Sequence, residues 1–213
     1  MKPSGWFGFA NGVYWLLLGL WVGSLVLSAA TAAMMFPMMK AIAPVLPEYA
    51  AYTGSHGLLL AGQIMSRVFF VQDVIELAAL VGVAVILVGH FVAFRLSSRT
   101  LANRIRLAAG ALLLVIVCYK AFIMAPRMYY NLGDFWAAAK VGDMAGADAA
   151  HAAFEADHPT ATNLMATTLC ALVVFIFASA WALTGDVMVV AEKEVTPRGV
   201  QLEEPALLNQ MRR

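Results

Sequence analysis

Four stretches of the chain are almost wholly apolar, and polar residues are concentrated between them. The apolar stretches run over about 11–35, 71–94, 105–126 and 161–183. A helix of roughly 20 apolar residues crosses the hydrocarbon core of a bilayer. Because lipid offers no partner for backbone N–H and C=O groups, such stretches must be helical. The pattern predicts an all-α protein, an integral membrane four-helix bundle occupying residues 1–186.

Two of the apolar stretches end in the same short motif, Met-x-Pro-x-Met. The motif occurs in Met35–Lys40 and in Met124–Asn131, and each copy is followed by a loop with a histidine and by another apolar stretch. This repetition predicts two related helical hairpins, with both motifs at helix ends on the same side of the bundle. Alanine and spaced aromatic residues between 127 and 159 predict short helices on the outer surface, broken at Gly142 and Gly146.

Composition agrees with a membrane protein and excludes several classes of partner. The chain has 213 residues, of which 62% are hydrophobic and 13% are charged, and its mean hydropathy is +0.78. Soluble domains are less apolar than this. A formal charge of +1 provides no global field that would attract nucleic acid. The lipid bilayer is therefore a predicted partner, and nucleic acid is not.

The positions of the charges predict the orientation. The link between the second and third stretches carries four arginines and no acid: Arg95, Arg99, Arg104 and Arg106. Positively charged links favour the cytoplasmic side. We therefore expect a multi-pass protein of the cell membrane with both termini in the cytoplasm. The polar tail, 187–213, is predicted to be extended or to need a partner for order.

Several ionisable residues lie inside the apolar stretches, where an unpaired charge is costly. Glu76 and Lys120 lie at similar depths on adjacent antiparallel stretches, which predicts an ion pair between them. Asp73 lies one helical turn from Glu76 and is predicted to pair with Arg67 or Arg127. A proton or ion path through Glu76 is the alternative, although a second carboxylate on a facing helix is missing.

Methionine and histidine are concentrated at the predicted outer side of the bundle. The candidate metal ligands are Met35, Met38, Met124, Met128, His56 and His158. Thioether and imidazole groups are suitable ligands for Cu(I), so copper is the candidate cofactor. The alternative is that these methionines fill gaps in packing and that the histidines cap helices or lie on the surface. His90 has no second histidine at its depth, so a bis-histidine haem within one chain is not predicted.

Soluble enzyme chemistry has no visible site in this sequence. It contains no P-loop, no Gly-x-Gly-x-x-Gly, no His-Glu-x-x-His and no nucleophile elbow. We therefore expect a non-enzymatic protein, an accessory or assembly subunit that contacts other membrane subunits through its outer loops or its cytoplasmic tail. Copper handling is the alternative, and a haem or quinone redox subunit is a weaker one.

Several short motifs are similar to those of a known family. They are Leu20–Ser24 leading to Met35–Pro37, Ala61–Ile64 leading to Arg67–Phe69, Pro126–Met128, and Phe154 with His158 and Asn163. Across most of residues 12–184 the chain resembles the transmembrane protein 205-like family, a four-span domain of unknown function grouped with copper-resistance D-type membrane proteins. The resemblance implies the fold and points to metal or metallodrug handling. The chain departs from the family pattern at Ala161, where the family has a hydroxyl residue, and in a longer loop before His158.

Overall fold

The computed structural model describes the backbone of residues 5–195 and the side chains of residues 5–184. These residues form five α-helices, a short 3-10 helix and a π turn. The α-helices are α1 (Gly5–Ile42), α2 (His56–Val92), α3 (Leu101–Tyr119), α4 (Ala125–Val141) and α5 (Met144–Val195); the 3-10 helix is Pro47–Tyr49 and the π turn is Lys120–Met124. This part of the chain is 89% helical and has no strand, which confirms the predicted all-α class.

Four helical segments are long and apolar enough to cross a membrane. They are Gly5–Ile42, His56–Val92, Leu101–Val141 and Met144–Thr184, so the chain is a polytopic membrane protein. At about 1.5 Å per residue each is far longer than the roughly 30 Å hydrocarbon core. The helices therefore continue beyond the apolar stretches from which they were predicted. The cytoplasmic position of both termini stays a prediction.

The two proline motifs do not end helices, so this part of the prediction is wrong. Helix α1 continues through Pro37 to Ile42, and Pro126 lies in the first turn of α4. Just before Pro126, the Ala125 N–H donates to the Lys120 carbonyl oxygen, five residues back, a shifted pattern that accommodates a residue without an N–H. The π turn directly before α4 widens the helix ahead of the proline. The third span consequently continues from α3 into α4.

Residues 127–159 extend two spanning helices, and they do not form the predicted short surface helices. The chain reverses at Gly142, which has a left-handed backbone with φ 76°, a conformation that glycine adopts without strain. Asp143 then accepts a hydrogen bond from the Gly146 N–H at 3.0 Å and caps α5. The predicted break at Gly142 is therefore present, whereas Gly146 lies inside the first turn of α5.

Two buried clusters hold the helices together. The larger one joins α1, α2, α3 and α5 and includes Tyr14, Trp21, Leu113 and Phe175. The smaller one packs the 3-10 helix and the start of α2 against α4 and α5 and contains Tyr49, Leu59, Phe135, Ala139 and Ala147. Because it joins the α1–α2 connection to the α4–α5 connection, both lie at one end of the bundle, called the hairpin end below.

The predicted tail, 187–213, is only partly within the described structure. The backbone of α5 extends to Val195, beyond the predicted end of the fourth span. The side chains after Thr184 and all residues after Val195 lie outside the described residues, and so does the prediction that this tail is extended or ordered by a partner.

Candidate functional site

A cavity of about 600 Å³ lies near the hairpin end of the bundle. It is lined by residues from α1, α2, the π turn, α4 and α5, and most of the lining is apolar. Aromatic side chains supply much of it: Phe36, Phe69, Tyr129, Phe135, Trp136 and Phe154. A volume of this size is typical of sites that hold a small organic molecule.

A cluster of charged groups forms one side of this cavity. Lys120 Nζ lies 2.6 Å from Glu76 Oε2 and 3.9 Å from Asp73 Oδ1. The Tyr129 hydroxyl donates a hydrogen bond to Asp73 Oδ2 at 3.3 Å. Helix α2 places both carboxylates on one face because residues three apart are neighbours on a helix. The predicted contact between Glu76 and Lys120 is thus present, and we call these four residues the ionic cluster.

The side chains of the ionic cluster differ in their exposure, and Asp73 and Lys120, which line the cavity, are more exposed than Glu76. The exposed side-chain fraction is 2% for Glu76, 12% for Lys120 and 23% for Asp73. Asp73 and Lys120 line the cavity together with Gln72. Among the residues that the structure describes, Glu76 Oε1 and Gln72 Oε1 are buried acceptor atoms without a hydrogen-bond partner. The cluster therefore has two carboxyl groups and one amino group, an excess of one acidic group.

The predicted partners of Asp73 are wrong. Arg127 binds Asp157 on α5 through two hydrogen bonds, from Nε at 2.7 Å and from Nη2 at 2.6 Å. Arg67 lies at an exposed position six residues before Asp73, which places it roughly 120° away around the same helix. Lys120 and Tyr129 take the place of both arginines, because the helix that carries them packs against the face of α2 that carries Asp73.

Three of the six predicted copper ligands line the cavity, and the other three do not. Met124, Met128 and His158 line the cavity, whereas Met35, Met38 and His56 do not. Met38 is exposed at the end of α1, beyond the position where the first span was expected to stop. Within the described residues, no group of three or more His, Cys, Asp or Glu is placed to hold a metal ion.

Both ring nitrogens of His56 are engaged in hydrogen bonds, and it lies apart from the candidate ligands that line the cavity. Its Nδ1 accepts a hydrogen bond from the Leu46 N–H at 2.9 Å. Its Nε2 therefore carries the proton and donates to the Tyr52 carbonyl oxygen at 2.9 Å. These two hydrogen bonds of the His56 ring stabilise the connection between α1 and α2. In the same connection, burial and the nearby Asp148 carboxylate raise the pKa of the Tyr52 hydroxyl.

A second buried polar network, which the sequence analysis missed, joins all four spanning segments at the opposite end of the bundle. Arg106 Nη2 lies 2.7 Å from His90 Nδ1, and its Nε donates to the Tyr14 hydroxyl at 3.2 Å. That hydroxyl lies 2.7 Å from Ser179 Oγ. The Arg106 guanidinium also lies 5.0 Å from the centre of the Tyr14 ring, within range of a cation–π contact.

One signal in the sequence could have revealed this network. Arg106 falls inside the third apolar stretch, at about 105–126, where a charged group needs a partner just as Glu76 does. The prediction of orientation uses Arg106 only as one of the four positive charges of the cytoplasmic link. In the structure, Arg106, His90 and Ser179 are each completely buried, so the network is part of the core.

Comparisons with models of protein families, with curated proteins and with solved structures found no match to this chain.

Proposed function

We propose that this polytopic membrane protein binds a small amphiphilic molecule in the cavity near the hairpin end, without catalysing a reaction on it. The observation that supports the proposal is an apolar cavity of about 600 Å³ with the ionic cluster on one side. Binding sites of this kind combine a mostly apolar lining, which buries the body of the ligand, with a few polar groups that fix its orientation.

The energetics favour an organic ligand with both an apolar and a polar part. Burying apolar surface against aromatic residues such as Trp136 and Phe154 contributes roughly 25 cal/mol per Å². A ligand without a polar group would leave Asp73 and Gln72 facing hydrocarbon, at a cost of about 1–3 kcal/mol for each unsatisfied group. A polar group on the ligand removes this cost.

The cavity offers a direct test through Gly62, which lines it. A Cβ added at Gly62 meets no atom within 4 Å, so Gly62→Leu can be introduced to fill part of the cavity. Gly133 on α4 is equally open but does not line the cavity, which makes Gly133→Leu the matched control. Both changes also replace a helical glycine with a better helix former, so their effects on helix stability are comparable.

We expect a small molecule to co-purify with the wild type and with Gly133→Leu, and to be lost from Gly62→Leu. Organic extraction followed by mass spectrometry measures its amount per protein. Saturable quenching of tryptophan fluorescence by added phenylbutanol, in nanodiscs of uncharged lipid, gives a second measurement because Trp136 lines the cavity. Equal occupancy and equal quenching in Gly62→Leu and in the control would contradict the proposal.

The accessory-subunit function stays a separate prediction. It requires a partner protein, and purification in mild detergent tests it through the proteins that co-purify. Copper handling now depends on Met124, Met128 and His158, and elemental analysis of the purified protein tests it. An absorption spectrum of the same sample tests the haem alternative. Membership of the transmembrane protein 205-like family is likewise a prediction, which a profile built from homologues of this chain would test.

A further inference from the structure

We infer that the ligand of this cavity is a lipophilic amine: a molecule with an apolar body and a protonated amino group that carries N–H donors. This inference rests on the proposed binding function and adds the chemical class of the ligand. It is argued from the charge of the ionic cluster, from the type of polar atom left without a partner, and from the aromatic lining.

Charge is the first argument. Two carboxylates, Asp73 and Glu76, surround a single ammonium, Lys120. The exposed Glu155 also lines the cavity, 3.8 Å from His151 Nε2, and Arg127 of α4 is paired with Asp157. Negative charge in a region of low dielectric attracts a cation and repels an anion more strongly than it would in water. The cavity is therefore complementary to a positive ligand.

Hydrogen-bonding capacity is the second argument. Gln72 lines the cavity, and its Oε1 is a buried acceptor with no hydrogen-bond partner among the described residues; an ionised carboxylate such as that of Asp73 can only accept. Asp73, which is more exposed than Glu76 and Lys120, receives one hydrogen bond at 3.3 Å from Tyr129 and keeps further acceptor sites. A ligand that donates N–H groups satisfies such atoms, whereas a quaternary ammonium or a carboxylate does not.

The lining is the third argument. Tyr129 is a member of the ionic cluster and also one of the aromatic residues that line the cavity. A cation held next to an aromatic ring is stabilised by the negative charge density of its face. An alkylammonium group has a pKa near that of lysine, about 10.4, so such an amine is charged at neutral pH. The apolar remainder of the molecule occupies the rest of the cavity.

Four probes with the same apolar body separate this inference from the proposed function. They are phenylbutylamine, phenylbutanol, phenylbutyrate and phenylbutyltrimethylammonium, titrated against wild-type protein in nanodiscs of uncharged lipid, with empty nanodiscs as the correction for partitioning. We expect the amine to bind about tenfold more tightly than the alcohol, since charge-assisted hydrogen bonds are about twice as strong as neutral ones. We expect the carboxylate to bind most weakly.

The possible outcomes differ for the two claims. If no probe binds saturably, the proposed function is overturned and the inference with it. If the alcohol or the carboxylate binds as tightly as the amine, the binding function stands and the inference is overturned. If the quaternary ammonium binds as tightly as the amine, charge alone explains binding, and the requirement for N–H donors is overturned.

Asp73→Asn tests the same inference at one residue and leaves the contact between Glu76 and Lys120 in place. We expect it to lower the affinity for phenylbutylamine about tenfold, and to lower the affinity for phenylbutanol much less, because only the amine loses a charge-assisted hydrogen bond. Asp134→Asn is the matched control, because Asp134 is exposed on α4 and does not line the cavity. An unchanged amine affinity in Asp73→Asn would overturn the inference.

Discussion

Replacing Lys120 with methionine removes the only cation of the ionic cluster and leaves two carboxylates facing each other across less than one helical turn. Glu76 is almost completely buried, with 2% of its side chain exposed, so water cannot replace the lost ammonium as a partner for its carboxylate. Breaking a buried ion pair by removing one partner costs about 3–5 kcal/mol. Because Asp73 keeps 23% exposure, we expect Lys120→Met to lower the free energy of unfolding by about 3 kcal/mol.

The double variant Lys120→Met/Glu76→Gln separates loss of the pair from loss of the lysine itself. It removes the buried unpaired carboxylate, so we expect about 2 kcal/mol of the loss to be recovered, within the range of measured coupling energies. Lys140→Met is the control: Lys140 lies 3.7 Å from Glu48, and both side chains are more than half exposed. Pairs of this kind contribute at most about 1 kcal/mol.

The measurement is reversible unfolding in mixed micelles with increasing dodecyl sulfate, followed by circular dichroism at neutral pH. The result that would refute the reasoning is a Lys120→Met variant as stable as Lys140→Met. Absence of any recovery in the double variant would show that Lys120 stabilises the bundle by packing and that its charge contributes nothing.

Two further predictions concern the core and the chain reversal. Tyr14→Phe removes the hydroxyl that accepts from Arg106 Nε and leaves that buried donor unsatisfied, so we expect a loss of about 1–3 kcal/mol in the same unfolding assay; the exposed Tyr130→Phe should change nothing measurable. Gly142→Ala forces an alanine into a left-handed conformation with φ 76° and brings its Cβ within 2.8 Å of a neighbouring Cβ, so we expect it to destabilise by at least about 1 kcal/mol. Gly133→Ala, at an open helical position, should instead stabilise slightly. Equal stability of Tyr14→Phe and Tyr130→Phe would contradict the contact described for Tyr14. Equal stability of Gly142→Ala and Gly133→Ala would contradict the chain reversal described at Gly142.

Much of the fold follows from local properties of the chain. A long apolar stretch has one backbone solution in lipid, so the four spans could be predicted without tertiary information. The contact between Glu76 and Lys120 could be predicted for the same reason: the depth of a residue in its span is set by sequence position, and two opposite charges at equal depth on adjacent helices attract each other.

The helix ends could not be predicted from the proline motifs. Proline disfavours a helix interior by about 3 kcal/mol in isolation, but Pro37 lies inside α1 and Pro126 follows a π turn. Spanning helices tolerate such residues when neighbouring helices or local widening satisfy the freed backbone groups. These compensations depend on packing, which the motif does not encode.

By itself the sequence determined the helical class, the number of spans and the matching depth of Glu76 and Lys120, since these depend on residues close together along the chain. Only the tertiary structure decided which face of each helix meets which neighbour. It paired Arg127 with Asp157, engaged both nitrogens of His56 in the α1–α2 connection, and joined Tyr14 to Ser179 across 165 positions of the chain. Such contacts depend on the rotation of each helix about its axis, which is set by how all the side chains pack together.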